Sequence, residues 1–518
     1  MSPFLRKVKT ASGATAVQIV EKQRGVRRIV EHLGSAHSEA ELAALMQAGR
    51  DKLAANQPEL DFDTGAGGRP RAGAAIVEGK VSRLLVDVLR DSWRWLGFDV
   101  VADEAFFQLV LARLVEPTSK LDSLRVISEL GLEPVHLSTV KRSLKRCATK
   151  DYRTLVQQAC FEHVWSERGG DVSLLLYDVT TLYFEAEKED TLRKVGFSKE
   201  RRVDPQIVVG LLVDRSGFPL EIACFEGDKP ETRTIIPVIK AFQERNQVAD
   251  MVVVADAGML SATNLQALNE AGLRFIVGSR MAKAPLDLAG HFHWHGTAFT
   301  DGQIIDTITT PARTPDPDRL RRRAEPVWDP TEHPQAWRAV WQFSRKRAVR
   351  DRHTLTLQQD RALDIIEGRR TAKKARFVKT SGQHSSLDQP SLDRATALVG
   401  LKGYVTNIPA TTMSAGEVIG SYHDLWHVEQ SFRMSKTDLA ARPIFHRTRD
   451  AIEAHLTIVF TALAIARDLQ DRTGWSIRRI IQTLRPLQHV TISIGDQQLQ
   501  AEPAIPEATA EMLRELGH

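Results

Sequence analysis

The chain has 518 residues, too many for one ordinary core, so two to four domains are expected. Hydrophobic content of 42% and charged content of 26% fit a soluble globular chain, and the lack of any long apolar run excludes a membrane-spanning helix. A net charge of +5 and a pI of about 9.0 permit a nucleic-acid partner without demanding one.

The opening residues Met1-Ser2-Pro3-Phe4-Leu5-Arg6-Lys7 lack the apolar core of a signal peptide. Cys147, Cys160 and Cys224 are widely spaced and odd in number, which argues for a reducing compartment and against a disulfide framework or a cysteine zinc site. The expected location is the cytoplasm.

Residues 4–9 and 14–19 read as a hairpin across Ser12-Gly13, followed by a helix-rich, charge-mixed stretch to about residue 53. Residues 63–73 hold Gly65, Gly67, Gly68 and Pro70 and read as a linker; no Gly-Lys-Ser/Thr follows, so this is not a phosphate-binding loop. Together 1–75 form an N-terminal segment. The pattern over 76–168 is helical throughout. Within it, 121–130 and 137–147 form a helix pair, the second helix carrying Lys141, Arg142, Lys145 and Arg146. Such a pair is either a DNA-reading helix-turn-helix or a plain hairpin with a solvated basic face.

At residue 171 the period becomes strand-like. Residues 172–179 (VSLLLYDV) form a nearly continuous apolar run, the mark of a buried strand, and it ends on Asp178. Residues 206–214 and 219–225 form an antiparallel pair around Arg215-Ser216-Gly217, and 232–245 a helix. A second buried strand, 251–255, also ends on an acid, Asp256. Ser261 can cap a helix closed by Gly272, and 274–277 is a further strand. Meander followed by alternating helices and strands predicts a mixed α/β sheet.

Residues 281–400 lose this regularity and read as a strand-containing insertion with basic clusters at 319–323, 345–350 and 369–376, the last including Lys373 and Lys374. His291, His293 and His295 alternate and would share one strand face, a possible metal site without an obvious fourth ligand. Regular structure resumes at 403–408. The stretch 421–436 then reads as one helix free of proline and glycine. Tyr422, Glu429 and Lys436 are seven apart and so fall within ~20° of one face, with Trp426 and Arg433 close by. That face suits a phosphodiester backbone; the bland alternative is a solvated amphipathic helix. Residues 450–469 form a buried helix, and 476–518 a tail without a legible pattern.

Either aspartate alone also fits a strand-end turn. The order is more informative: an acid on a first buried strand, an acid on a later buried strand, then Glu429 on a helix beside cations. Three converging carboxylates repel each other, and their hard oxygens suit Mg²⁺ or Mn²⁺, with two ions expected to act on a phosphodiester.

The motifs Leu176-Tyr177-Asp178-Val179-Thr180-Thr181 and Val254-Ala255-Asp256-Ala257-Gly258, with Tyr422, Glu429 and Lys436 in register, resemble bacterial insertion-sequence transposases that carry a DDE triad on a ribonuclease-H-like fold. The family signature places Arg where this chain has Leu425; Arg433 or His427 would have to compensate. The resemblance implies a catalytic domain over 169–280 and 401–475, interrupted by the 281–400 insertion. It implies Asp178, Asp256 and Glu429 as metal ligands, and Tyr422 and Lys436 as contacts to the DNA of the element's end, with Trp426 and Arg433 beside them. It implies 76–168 as the reader of terminal inverted repeats, and a homodimer acting on those repeats and target DNA. The reaction it implies is hydrolysis freeing a 3′-hydroxyl, then attack of that hydroxyl on target DNA. A ribonuclease-H-like nuclease without strand transfer, and an inactive DNA-binding descendant, are the alternatives.

Overall fold

The computed structural model describes residues 4–9, 15–23, 26–36, 39–55 and 75–518, excepting 168, 170–171, 186–187, 198–202, 249, 260, 311–316, 372–374, 382–383 and 495–496. The Ser12-Gly13 turn, the glycine-rich 63–73 stretch, Lys373 and Lys374 lie outside the described residues. The chain divides into two units, Met1–Gly73 and Ala74–His518.

In the first unit, Phe4–Lys9 and Thr15–Gln23 pair antiparallel, and Val26–Ala36 adds a third strand. The helix Glu39–Ala55 packs against this sheet. The helix expected from the early twenties therefore starts only at Glu39. Residues Val26, Ile29 and Val30 are β-branched and favour the extended backbone over the helix.

The second unit is built on an eight-stranded sheet, its strands numbered here in chain order: β1 Leu174–Tyr183, β2 Gln206–Val213, β3 Pro219–Glu226, β4 Val252–Ala255, β5 Arg274–Gly278, β6 Ile304–Ile308, β7 Arg338–Phe343 and β8 Leu401–Thr406. Their spatial order is β6-β7-β8-β5-β4-β1-β2-β3. The five-strand part β3-β2-β1-β4-β5 has an antiparallel meander leading into parallel β1, β4 and β5. That is the ribonuclease-H-like arrangement. β2 and β4 are buried at every residue, which explains their unbroken apolar sequences: helices cover both faces, so no solvent side imposes alternation.

Two expectations about boundaries change. β6 and β7 come from the 281–400 stretch, yet they extend the main sheet through β8. Arg338 on β7 is 1% exposed and pairs with Asp306 on β6 at 2.6 Å, so a polar-looking strand is buried by pairing its charge. Residues 76–168 are not helical throughout: Ala75–Val81 is a strand, and it pairs with His489–Ile494 from the far end of the chain. The tail is thus built in, with Gln497–Ala501 as a third strand and helices Ile477–Leu484 and Glu507–Glu515.

The helix Arg449–Thr473 is buried along most of its length and packs on helices Glu104–Val115 and Leu137–Thr149 and on β3. One hydrophobic cluster runs from Leu85 through this helix to Leu516. The helical region and the sheet therefore share a core. No helix among the described residues is long and apolar enough to cross a membrane.

Candidate active site

β1 and β4 are parallel neighbours, and Tyr177 on β1 stands opposite Ala255 on β4. The next residues are Asp178 and Asp256. Two carboxylates therefore stand at adjacent positions on strands ~4.8 Å apart; Asp256 follows the end of β4 as expected, whereas Asp178 lies inside β1, whose pairing with β2 carries it on to Tyr183. Asp178 is half-buried and Asp256 exposed.

The stretch expected as one helix is two. Ser414 and Glu417 form a reciprocal cap at the start of Ala415–His423, and a second helix, Trp426–Thr437, follows a break at Asp424 and Leu425. Leu425 is 5% exposed and belongs to the core cluster, so the position that carries Arg in the signature here serves packing. Asp424 beside it pairs with Arg215 at 2.8 Å. Asp424 and Leu425 keep right-handed helical backbone angles, and Tyr422 and Lys436 on either side of them both reach toward the acids, one at Asp256 and the other at Thr180 on the Asp178 strand.

Tyr422 is buried, and its hydroxyl donates to the Asp256 carboxylate at 2.9 Å. The phenol crosses β5 at Gly278, where a Cβ would stand 2.5 Å from its oxygen; glycine opens the route. Burial first, then the charges of Asp256 and Glu429, hold this phenol protonated well above its ordinary range. Tyr422 therefore orients an acid where a phosphate contact was expected. At the other end, the Lys436 ammonium donates to the Thr180 hydroxyl on β1. Thr180 lies two residues after Asp178 and shares its face of the strand. Glu429 sits between these two fastenings, exposed on its helix, as are Arg433 and Trp426, the latter 53% exposed. His427 does not stand in for the signature Arg: its Cβ packs at the Gly217 turn, and burial and Arg467 depress its pKa.

Lys402, Glu231 and Gly278 were not singled out by the sequence, and Arg347 was marked only as part of the 345–350 basic cluster. Lys402 on β8 lies over the Tyr422 ring at 5.0 Å; burial and Arg347 lower its pKa while Asp256 opposes them. Glu231 packs at the turn after Asp256, where a Cβ on Gly258 would meet its carboxylate oxygen at 2.9 Å. Only the pairing of distant strands brings these groups to the acid edge, so no local pattern marks them.

Asp178, Asp256 and Glu429 offer hard oxygen donors, the chemistry that suits Mg²⁺ or Mn²⁺. Among the described residues no three acid, histidine or cysteine side chains are gathered closely enough to form a metal-ligand cluster. The donor set fits such an ion in type, and two of its members start from adjacent strand positions.

The remaining expected residues divide. The helices Ser123–Glu129 and Leu137–Thr149 each pack on Glu104–Val115. On the second, Lys141, Arg142 and Lys145 are exposed, but Arg146 is tied to Asp103 at 2.6 Å. Burial works against the Asp103 charge, yet hydrogen bonds from Arg146, Ser143 and Tyr152 hold its carboxyl below the ordinary range. Arg146 is thus a structural partner of Asp103 rather than a free phosphate contact. His291, His293 and His295 lie on a helix, Ala289–His295, not a strand, so alternate residues diverge by ~200°. His291 is buried against Glu325 at 3.7 Å and stacks on Phe299; His291 and His295, one turn apart, bring their rings to 4.9 Å, but His293 points elsewhere and the three-histidine face does not form.

Residues 170–465 match the model of a family described as the transposase DDE domain. A solved structure of the piggyBac transposase synaptic complex with hairpin DNA aligns at 8% identity with a TM-score of 0.40, over 80% of this chain and 82% of that one. No curated protein matches the chain.

Proposed function

The chain belongs to the DDE-domain transposase family, and we propose that it cuts the ends of an insertion sequence and joins the freed 3′-hydroxyl to target DNA. The observation that carries this reading is the pair of aspartates on adjacent parallel strands, with Tyr422 on one of them and the Glu429 helix fastened beside the other. We assign Asp178, Asp256 and Glu429 as the metal ligands and catalytic acids.

A magnesium or manganese ion, or a pair, held by these carboxylates would stabilise the charge that builds on phosphate oxygens during in-line displacement. The protein's own residues prepare that step. Tyr422 fixes one Asp256 oxygen through its hydrogen bond and leaves the other for a ligand. Gly278 allows the phenol its approach. Lys436 holds the Glu429 helix against β1 through Thr180. Lys402 and Arg347 add positive potential beside Asp256, which favours an approaching polyanion. Trp426 and Arg433 are exposed on the Glu429 helix and would meet the DNA, the first by stacking and the second at a phosphate. No protein nucleophile is needed.

Exposed Arg345, Lys346 and Arg350 open the Arg345–Ile366 helix, and Arg347 on its first turns reaches the Lys402 side of the site. This helix would carry DNA backbone toward the acids. Lys141, Arg142 and Lys145 would contact the terminal repeats, and two copies of the chain would hold two ends.

A nicking assay on supercoiled plasmid carrying the element's end tests the assignment. Wild-type protein with Mg²⁺ is expected to nick, chelation to stop nicking, and Glu429→Gln to bind DNA without nicking it. Full nicking by Glu429→Gln, or in the presence of chelator, would contradict the proposal.

A further inference from the structure

A cavity of about 330 Å³ lies between the 117–123 segment and the loop that follows the Glu429 helix. Arg113, Lys120, Arg442, Phe445 and His446 line it. Arg113 comes from the Glu104–Val115 helix, and its guanidinium donates at 3.4 Å to the carbonyls of Leu439, Ala440 and Thr118. Among the described residues neither Arg113 nor Lys120 pairs with a carboxylate. The acids nearest in sequence are committed elsewhere: Glu116 to Arg125 and Arg485, Asp122 to Arg125 and Thr118.

Arg113 is half-buried and meets carbonyls rather than a carboxylate, so its charge is only partly offset, and Lys120 stands beside it as a second cation. The cost of that charge shows in the neighbours. Burial lowers Arg113 to about 10. Burial, with Lys120 and Arg113 close by, pushes His446 down to about 4, so that ring stays neutral and adds no charge of its own. Phe445 is 73% exposed at the rim, an apolar ring in solvent beside cations. Cations that converge on a cavity, with a flat aromatic at its mouth, make a receptor for a phosphate that carries a base or sugar.

We propose that this cavity takes a backbone phosphate of the bound DNA, with Arg113 and Lys120 as its ligands and Phe445 against the adjoining nucleotide. It stands one loop beyond Lys436, so DNA engaged at the acid edge would be held a second time past the Glu429 helix. The inference rests on the transposase reading for its ligand.

Full-length wild type, Lys120→Gln and Lys120→Arg are compared for binding to a labelled 30-base-pair duplex of arbitrary sequence between 50 and 300 mM salt. Lys120 is exposed, so the substitution spares the fold. Lys120→Gln is expected to weaken binding about three- to tenfold at 100 mM salt. It should also flatten the log–log salt slope by about 0.9, the value of one phosphate contact. Lys120→Arg should restore both. An unchanged slope in Lys120→Gln, beside salt-dependent binding by wild type, would overturn the cavity alone. Loss of salt-dependent binding in wild type itself would overturn the transposase reading with it. Inorganic phosphate at constant ionic strength separates the sources. If it raises the unfolding temperature of wild type and not of Lys120→Gln while the slopes agree, the cavity is a small-anion site and the DNA assignment fails.

Discussion

The two ends of the 422–436 stretch meet the sheet in opposite ways. Tyr422 is buried, crosses β5 at a glycine and spends its hydroxyl on Asp256. Lys436 is half-buried and reaches β1 at Thr180, from a helix whose outer side carries exposed Arg433, Trp426 and Glu429. Between them Leu425 is sunk in the core. One end is therefore packing that orients an acid, and the other is a fastening that leaves its helix open to a ligand. Side chains that look equivalent on a helical wheel acquire different chemistry because their surroundings differ: Tyr422 is buried against the sheet and Lys436 is half-exposed.

The sharpest break of this comparison is loss of an acid. Asp178→Asn, Asp256→Asn and Glu429→Gln are each expected to lower nicking by about a thousandfold or more, the scale of removing a principal electrostatic stabiliser, with DNA affinity changed little. A variant that keeps its nicking rate loses its place in the site.

The next largest effect falls on stability. Leu425→Arg restores the signature residue but buries a charge with no carboxylate prepared for it. It should cost about 3–5 kcal/mol in denaturant unfolding, whereas Leu425→Met should cost under about 1.5 kcal/mol. An unchanged midpoint for Leu425→Arg would show that the position faces solvent or DNA.

Tyr422→Phe removes one hydrogen bond to a carboxylate, worth about 1.5–3 kcal/mol, so nicking should fall roughly ten- to a hundredfold. The phenol's pKa is raised, so it stays protonated throughout the neutral range. The variant's pH–rate profile should accordingly keep the wild-type shape while dropping in height. A changed shape would make Tyr422 a proton carrier.

A smaller effect belongs to Asp103, which holds Arg146. Its carboxyl is lowered in the fold, so the stability it supplies is present above the ordinary range near 3.8 and is lost as pH falls through the folded value. Wild type should exceed Asp103→Asn by about 1–3 kcal/mol at neutral pH, the gap closing in acid. The smallest effect is that of Lys145→Gln, expected only to flatten the DNA salt slope by about one contact.

The strands that carry Asp178 and Asp256 were legible because burial on both faces leaves an unbroken apolar run before each acid, although only Asp256 ends its strand and β1 runs on past Asp178 to Tyr183. The mixed sheet followed from the order of those runs. What stayed illegible depends on distant pairing. Ala75–Val81 finds its partner at His489–Ile494, and β6 and β7 join the sheet only through β8. Lys402 and Glu231 reach the acid edge by the same long-range closure. The helix break at Asp424 and Leu425 was hidden because no proline or glycine marks it. Arg146 read as a free cation because Asp103 lies far from it in sequence.

The central claim is that these acids support both cleavage and joining. A duplex bearing the element's end and a target plasmid, incubated with Mg²⁺ and either wild type or Glu429→Gln, tests it most directly. Nicked end and end joined to plasmid, from wild type alone, are the predicted result; nicking without any joined product would contradict strand transfer and leave a nuclease.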